Sequence, residues 1–307
     1  MNEETQKEKY ITPIAMGFMT TIVPDLFSEA FGAYKKRDFT RDYWQVSDWE
    51  KWYAGAAIAL TASAIEANRN RFYHAQSLDI SRRNVVQDIV NMFTLIKQLP
   101  SFPKDEFTSL IGEVFTVRDV IIHSHNYELE VEFRMDDWHM IDFQATRLEG
   151  YGDKKFGKLV DMNTFKTKLL GMNVLPTKIG FEELFIVILI FDLFVSITDK
   201  SFGKGYVAYH VHQNLGGYWI SNLCELLMFY YDQLPSQLFK NRIITLSDNL
   251  RAKFGDYIFD GNEYFIANVC PKCQSLGFYK NRYLSKCCRC GLRIQIPHNS
   301  TSGQSFN

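Results

Sequence analysis

Between residues 49 and 74 the side chains Trp52, Gly55, Ala56, Ala59, Leu60, Ser63, Ala64 and Ala67 recur three and four positions apart. That period fixes an α-helix, and its small residues let a neighbouring helix approach closely. The same period returns over residues 84–98 through Val85, Ile89, Met92, Phe93 and Ile96, until Leu99-Pro100-Ser101-Phe102-Pro103 halts it. A further helix starts there. Pro103 suits its first turn, Asp105 and Glu106 suit the positive end of its dipole, and Phe107, Leu110, Ile111, Val114, Val117 and Ile121 form its apolar stripe. Residues 11–31 are mostly apolar and broken at Pro24-Asp25, which predicts two helices or one kinked helix. A chain patterned this way folds as a mainly α-helical bundle.

After Ile121 the period changes to two. Leu129, Val131, Phe133 and Met135 alternate with Glu128, Glu130, Glu132 and Arg134, Asp136-Asp137 makes a turn, and a second strand runs through Met140 and Phe143. The helical body therefore carries a β-hairpin insert at about residues 127–148. Helices are expected to resume at residues 164–170, 181–198 and 218–231. The longest apolar run, residues 184–197, contains Asp192 and falls short of the roughly 20 residues that span a bilayer, so it reads as a buried core helix. The chain divides into an N-terminal helical extension (1–48), a helical domain with the hairpin (49–240), a cysteine-rich unit (262–297) and a disordered tail (298–307). Its first nine residues are polar with no secretion signal, which predicts a cytoplasmic protein without membrane contact.

Cysteine usage points the same way, because five of the six cysteines fall between positions 270 and 290. Cys270-Pro271-Lys272-Cys273 and Cys287-Cys288-Arg289-Cys290 are two Cys-x-x-Cys turns, whose four thiolates complete a closed tetrahedral site for structural zinc. Cys270, Cys273, Cys287 and Cys290 are the expected ligands, with Cys288 able to replace Cys287 in a distorted turn. Phe278, Tyr279 and Tyr283 suit the short strands of a zinc ribbon. A closed site leaves no position for a substrate, so Lewis-acid catalysis is not expected there. Overall, 34 basic and 35 acidic residues give a net charge of −1, which excludes a polycation that coats nucleic acid. Residues 251–307 nevertheless carry a formal +5, about +3 once four thiolates hold a zinc ion, and such a surface with exposed aromatics can contact RNA.

Four Arg/His pairs share a four-residue gap: Arg69/His74, Arg118/His123, Arg134/His139 and Arg293/His298. Arg134/His139 straddles the strand turn and Arg293/His298 has Pro297 inside it, so neither has rigid support. Arg69/His74 lies on a well-patterned helix. Arg118/His123 closes one, with Val120, Ile121 and Ile122 between the polar groups and Asp119 directly after the arginine.

An arginine, a polar residue, a short apolar spacer and a histidine at the end of an amphipathic helix resemble the signature of HEPN ribonucleases, found among toxins and antiviral defence proteins. The match is carried by Arg118, Asp119 and His123. Upstream, Ala64-Ile65-Glu66-Ala67 resembles the acidic position on an earlier helix of such domains, which implies that Glu66 and Arg69 stand near the site; His125 offers a second histidine at an allowed spacing. The resemblance covers about residues 49–234 as an HEPN-like helical bundle; the hairpin, the N-terminal helices and the ribbon are additions to it. It implies a homodimer with a composite active site, an RNA substrate and a regulatory or antitoxin partner. His123 would be general base on the ribose 2′-hydroxyl, Arg118 would stabilise the phosphorane and Asp119 would orient the arginine or the histidine, giving 2′,3′-cyclic phosphate ends without a divalent metal.

The competing expectation is a non-catalytic scaffold whose ribbon binds nucleic acid or protein, with Arg118 and His123 serving only to cap carbonyls or pair with Glu128 and Glu130. His210 and His212 lack a third ligand at a recognisable spacing. Cys224, among Leu223, Leu226 and Leu227, is expected to be buried. No nucleophile elbow or glycine-rich phosphate loop occurs.

Overall fold

The ends of the long helices, more than their middles, decide this architecture. The computed structural model describes residues 14–39, 46–78, 85–97, 99–123, 127–133, 140–147, 153–203, 211, 213–215, 218–259, 264–267, 278–280, 284–287 and 293–295. In chain order these give α1 (Ile14–Tyr34), α2 (Asp48–Ala75), α3 (Val85–Asn91, continued as a π-helical turn Met92–Ile96), α4 (Lys104–Ile122), β1 (Tyr127–Phe133), β2 (Met140–Arg147) and α5 (Asp153–Leu159). There follow β3 (Val160–Asp161), β4 (Lys166–Thr167), α6 (Phe181–Phe202), β5 (Gln213–Leu215), β6 (Tyr218–Ile220), α7 (Leu223–Gln233), α8 (Gln237–Phe254), β7 (Phe278–Lys280), β8 (Leu284–Cys287) and β9 (Arg293–Gln295). The fold is mainly α, and each strand pairing is antiparallel and local. Among the described residues no helix is long and apolar enough to cross a membrane.

α6 is the central helix, buried from Phe181 through Ile197 except Glu182, which is partly buried. A helix apolar on all sides has no face to show water, so the others must enclose it. α1, α2, α4 and α7 do so. Phe27, Phe31 and Tyr34 of α1 set their rings 4.9, 5.1 and 5.1 Å from that of Phe181, so the N-terminal helix shares the main core. α1 is one helix with Pro24 inside it; Gln213 Nε2 donates to the Pro24 carbonyl at 3.0 Å and to Asp25 Oδ1 at 3.2 Å beside that proline.

The start of α6 is closed by a polar knot. Arg37 forms a two-pronged ion pair with the fully buried Glu50 of α2, and Glu50 Oε1 accepts the Phe181 N–H at 2.8 Å. Glu183 accepts the Gly180 N–H at 3.0 Å, and Tyr34 Oη donates to Glu182 at 3.0 Å. A Cβ on Gly180 would lie 2.5 Å from Glu50 Oε1 and 2.8 Å from Val46, so only glycine lets the helix start approach this carboxylate. Burial raises the Glu50 pKa, against the lowering effect of Arg37.

Further along, α6 carries a polar ladder that holds the segment leading to the cysteines. Asp192 Oδ2 accepts the Ile266 N–H at 3.1 Å, Ser196 Oγ accepts the Phe259 N–H at 3.0 Å, and Tyr264 Oη donates to Asp199 at 2.5 Å. Asp192 is fully buried, and desolvation pushes its carboxyl up to about 7.

Two expected helices are corrected. Residues 164–170 form turns and the β3–β4 hairpin instead. The Asp161 carboxylate accepts from the Asn163 N–H and the Thr164 hydroxyl, Phe165 and Gly171 take positive φ (51° and 63°), and buried Glu113 of α4 accepts the Leu169 and Leu170 N–H groups at 2.8 Å each. Side-chain acceptors thus replaced the i→i−4 ladder that the apolar pattern suggested. Residues 218–220 are strand β6, and the helix expected from 218 begins only at Leu223, where Asn222 Oδ1 caps the Glu225 N–H at 2.8 Å. α8 had no counterpart in the sequence reading. Its signal was present: Ser236 accepts the Phe239 N–H at 3.2 Å, and Phe239, Ile243, Leu250 and Phe254 form its buried stripe.

Candidate functional site

α2 and α4 cross where Gly55 meets Ile121, whose Cγ2 stands 3.4 Å from the position a Gly55 Cβ would take. The small residue permits this approach, as the spacing of α2 predicts. On the α4 side of this contact Arg118 lies with its guanidinium 4.5 Å from the Phe115 ring centroid, one turn earlier on the same face. Asp119 Oδ1 accepts from Arg118 Nε at 2.9 Å and from Nη2 at 2.6 Å. Arg118 Nη1 is 3.6 Å from Glu66 Oε2 on α2. The other Glu66 oxygen is 3.4 Å from Arg69 Nη2, and Arg69 Nη1 donates to Asp88 of α3 at 3.0 Å. Three helices are thereby tied by one chain of charges.

The structure brings together Glu66, Arg69, Arg118 and Asp119, four of the residues singled out from the sequence. Asp88 was missed; it lies nineteen residues from Arg69 in the chain and no local pattern announces the pairing. Its carbonyl also accepts from Tyr73 Oη at 3.1 Å, which fixes the acid against α2. Burial grades along the chain of charges: the Arg69 side chain is 2% exposed, whereas those of Arg118, Asp119 and Glu66 are 20, 26 and 35% exposed. Arg69 is a structural strut and Arg118 is reachable from water.

His123 stands at the end of α4, one turn beyond Asp119. It is the C-cap, extended (φ −101°, ψ 125°) and exposed, and its N–H donates to the Asp119 carbonyl at 2.8 Å. Positions five apart on an ideal helix point about 140° from each other. Ending the helix at Ile122 releases the imidazole from that phase, so it is not forced to the face opposite Arg118. His74, the histidine of the rival pair, is also exposed, near the end of α2, but its arginine is the buried one.

Among the described residues two guanidiniums pair with three carboxylates here. A phosphate approaching Arg118 must therefore compete with Asp119 or Glu66 for its N–H groups. The same carboxylates hold the guanidinium in one orientation before any ligand arrives.

Among the described residues no cluster of three or more His, Cys, Asp or Glu could hold a metal ion. His125, His210, His212, Cys270, Cys273, Cys288, Cys290 and the tail 298–307 lie outside the described residues. Cys287 ends β8, where its backbone pairs with Phe278, the first residue of β7, and β8 pairs in turn with β9. Phe278 is five residues after Cys273, so β7 begins and β8 ends at the same end of this hairpin. Cys224 is buried, as expected. No protein-family model, curated protein or solved structure matches the chain.

Proposed function

We propose that the chain is a metal-independent endoribonuclease of HEPN type, with Arg118 and His123 as its reacting pair. The observation that carries this reading is the partly exposed Arg118, pre-oriented by Asp119 and Glu66, on a helix that ends in an exposed His123. His123 acts as general base on the ribose 2′-hydroxyl, for which imidazole is the side chain suited near neutrality. The 2′-oxygen attacks the adjacent phosphorus, the bond to the 5′-oxygen breaks as that oxygen takes up a proton from the imidazolium or from water, and Arg118 stabilises the charge that grows on the phosphorane. The products are a 2′,3′-cyclic phosphate and a 5′-hydroxyl. DNA, without the 2′-hydroxyl, is not cleaved. Two protomers pair so that both Arg118/His123 sets face one cleft, and a toxin or antiphage role, held in check by a regulatory partner, follows by analogy with that class.

The β7–β8 register, in which Phe278, five residues after Cys273, pairs with Cys287, supports a structural zinc held by Cys270, Cys273, Cys287 and Cys290. Zinc there would brace the ribbon and take no part in cleavage. Cys270→Ser is expected to lower zinc below one ion per chain by elemental analysis; full retention refutes that ligand set.

A second reading has its own observation. Arg118 already has two carboxylates around it, as an arginine that merely locks α4 to α2 would. In that case the protein is a scaffold. Incubation of RNA in chelator with the Arg118→Ala and His123→Ala variants separates the two, because a lock gives no cleavage to lose.

A further inference from the structure

The buried Arg69 has two carboxylates against it, and they are not equivalent. Asp88, on α3, is the nearer at 3.0 Å and the more enclosed, with its side chain 10% exposed. Glu66, one turn before Arg69 on α2, is at 3.4 Å and 35% exposed. Attraction between charges strengthens as water is excluded, so Asp88 is the stronger counter-ion of Arg69. That leaves Glu66 divided, with its other oxygen 3.6 Å from Arg118 Nη1. Without the Asp88 charge the buried guanidinium would draw on Glu66, since an uncompensated buried charge is costly, and the acid would turn away from Arg118. The charge on Asp88 is not what seats α3. Ile89 and Val90 bury that helix in the core, and the Tyr73 hydroxyl ties the Asp88 carbonyl to α2 at 3.1 Å.

We propose that Asp88 is a positioning residue for Arg118: by neutralising Arg69 it leaves Glu66 to hold the reacting guanidinium from the α2 side, while Asp119 holds it from its own helix. Asp88 acts through two other side chains and has no role in the chemistry itself. A guanidinium held from both sides meets the phosphorane in one orientation and loses less freedom as the charge grows. That this orientation serves cleavage rests on the ribonuclease reading above; that Asp88 decides how Arg118 is held does not.

Two readouts on the full-length protein test this, and the first needs no RNA. With isotope-labelled arginine, the side-chain NMR signals of Arg118, assigned by their loss in Arg118→Ala, should change in Asp88→Asn as they do in Glu66→Gln. Once Glu66 is replaced, Asp88→Asn should change them no further. The second readout is kcat for RNA cleavage per folded molecule, which should fall about tenfold in Asp88→Asn and in Glu66→Gln alike. The double variant should match Glu66→Gln alone, whereas a merely structural loss would multiply to about a hundredfold. Tyr73→Phe, which loosens Asp88 and keeps its charge, should give a smaller change of the same kind and serves where Asp88→Asn does not fold. Arg118 signals untouched by the Asp88→Asn or, in its place, the Tyr73→Phe substitution overturn the proposal, and so do losses that multiply. If the parent does not cleave RNA, the ribonuclease reading falls and the Arg118 signals alone decide whether Asp88 positions that arginine.

Discussion

Two arginine–carboxylate clusters sit on α2, sixteen residues apart, and they are built for opposite ends. At Glu50 the pair with Arg37 is sealed from water, and the same carboxylate caps the start of α6. At Glu66 the acid is 35% exposed and shared between a buried Arg69 and a reachable Arg118. A buried pair contributes to a unique architecture and is costly to break by halves, whereas an exposed pair adds little stability and can exchange partners. Exposure, and not the ion pair as such, separates the cluster that locks the fold from the one that a solute can reach.

The largest effect should come from breaking the sealed cluster. Arg37→Ala leaves Glu50 buried without its cation and should cost about 3–5 kcal/mol in urea unfolding. A loss as small as that of a surface ion pair would erase the distinction between the two clusters.

Next in size is a pH dependence set by the buried acids. Glu50, Glu113 and Glu182 have raised pKa values and Asp192 titrates at about 7, in each case chiefly through desolvation. A carboxyl that binds its proton more tightly folded than unfolded contributes stability that is fully present below the ordinary carboxylate range and is lost as pH rises toward the folded pKa. The melting temperature should therefore fall between about pH 4 and pH 7, and Asp192→Asn should flatten the upper part of that slope. A variant with the parent's slope would contradict the assignment to Asp192.

The smallest stability effect belongs to the open cluster. Arg118→Ala should cost no more than about 1 kcal/mol, because its partners can turn to water. Glu66→Gln should be equally mild in unfolding yet lower RNA cleavage about tenfold, the equivalent of about 1.4 kcal/mol in the transition state. Equal losses in both measurements would make Glu66 a plain stability residue.

Much of this was legible in the sequence where the signal is local. The three-and-four periodicity located α2 and α4 because their apolar faces are continuous, and the unbroken apolar run located α6, which is buried on all sides. The Arg118–Asp119 contact and the nearness of Glu66 followed from neighbouring positions and from a motif. What was not legible depended on distant acceptors. Glu113 captures Leu169 and Leu170 from more than fifty residues away and turns an expected helix into a hairpin. Asp88 reaches Arg69, and Glu50 reaches Phe181, across distances that no window of sequence spans. The start of α7 could have been read, since Asn222 followed three residues later by Glu225 is a helix-start signature.

The central claim is that Arg118 and His123 are a reacting pair. Total RNA incubated with the purified protein in chelator, beside folded Arg118→Ala and His123→Ala variants, tests it most directly. The account predicts fragments ending in 2′,3′-cyclic phosphate from the parent and none from either variant. Cleavage that survives both substitutions, or that appears only when magnesium is added, would contradict it.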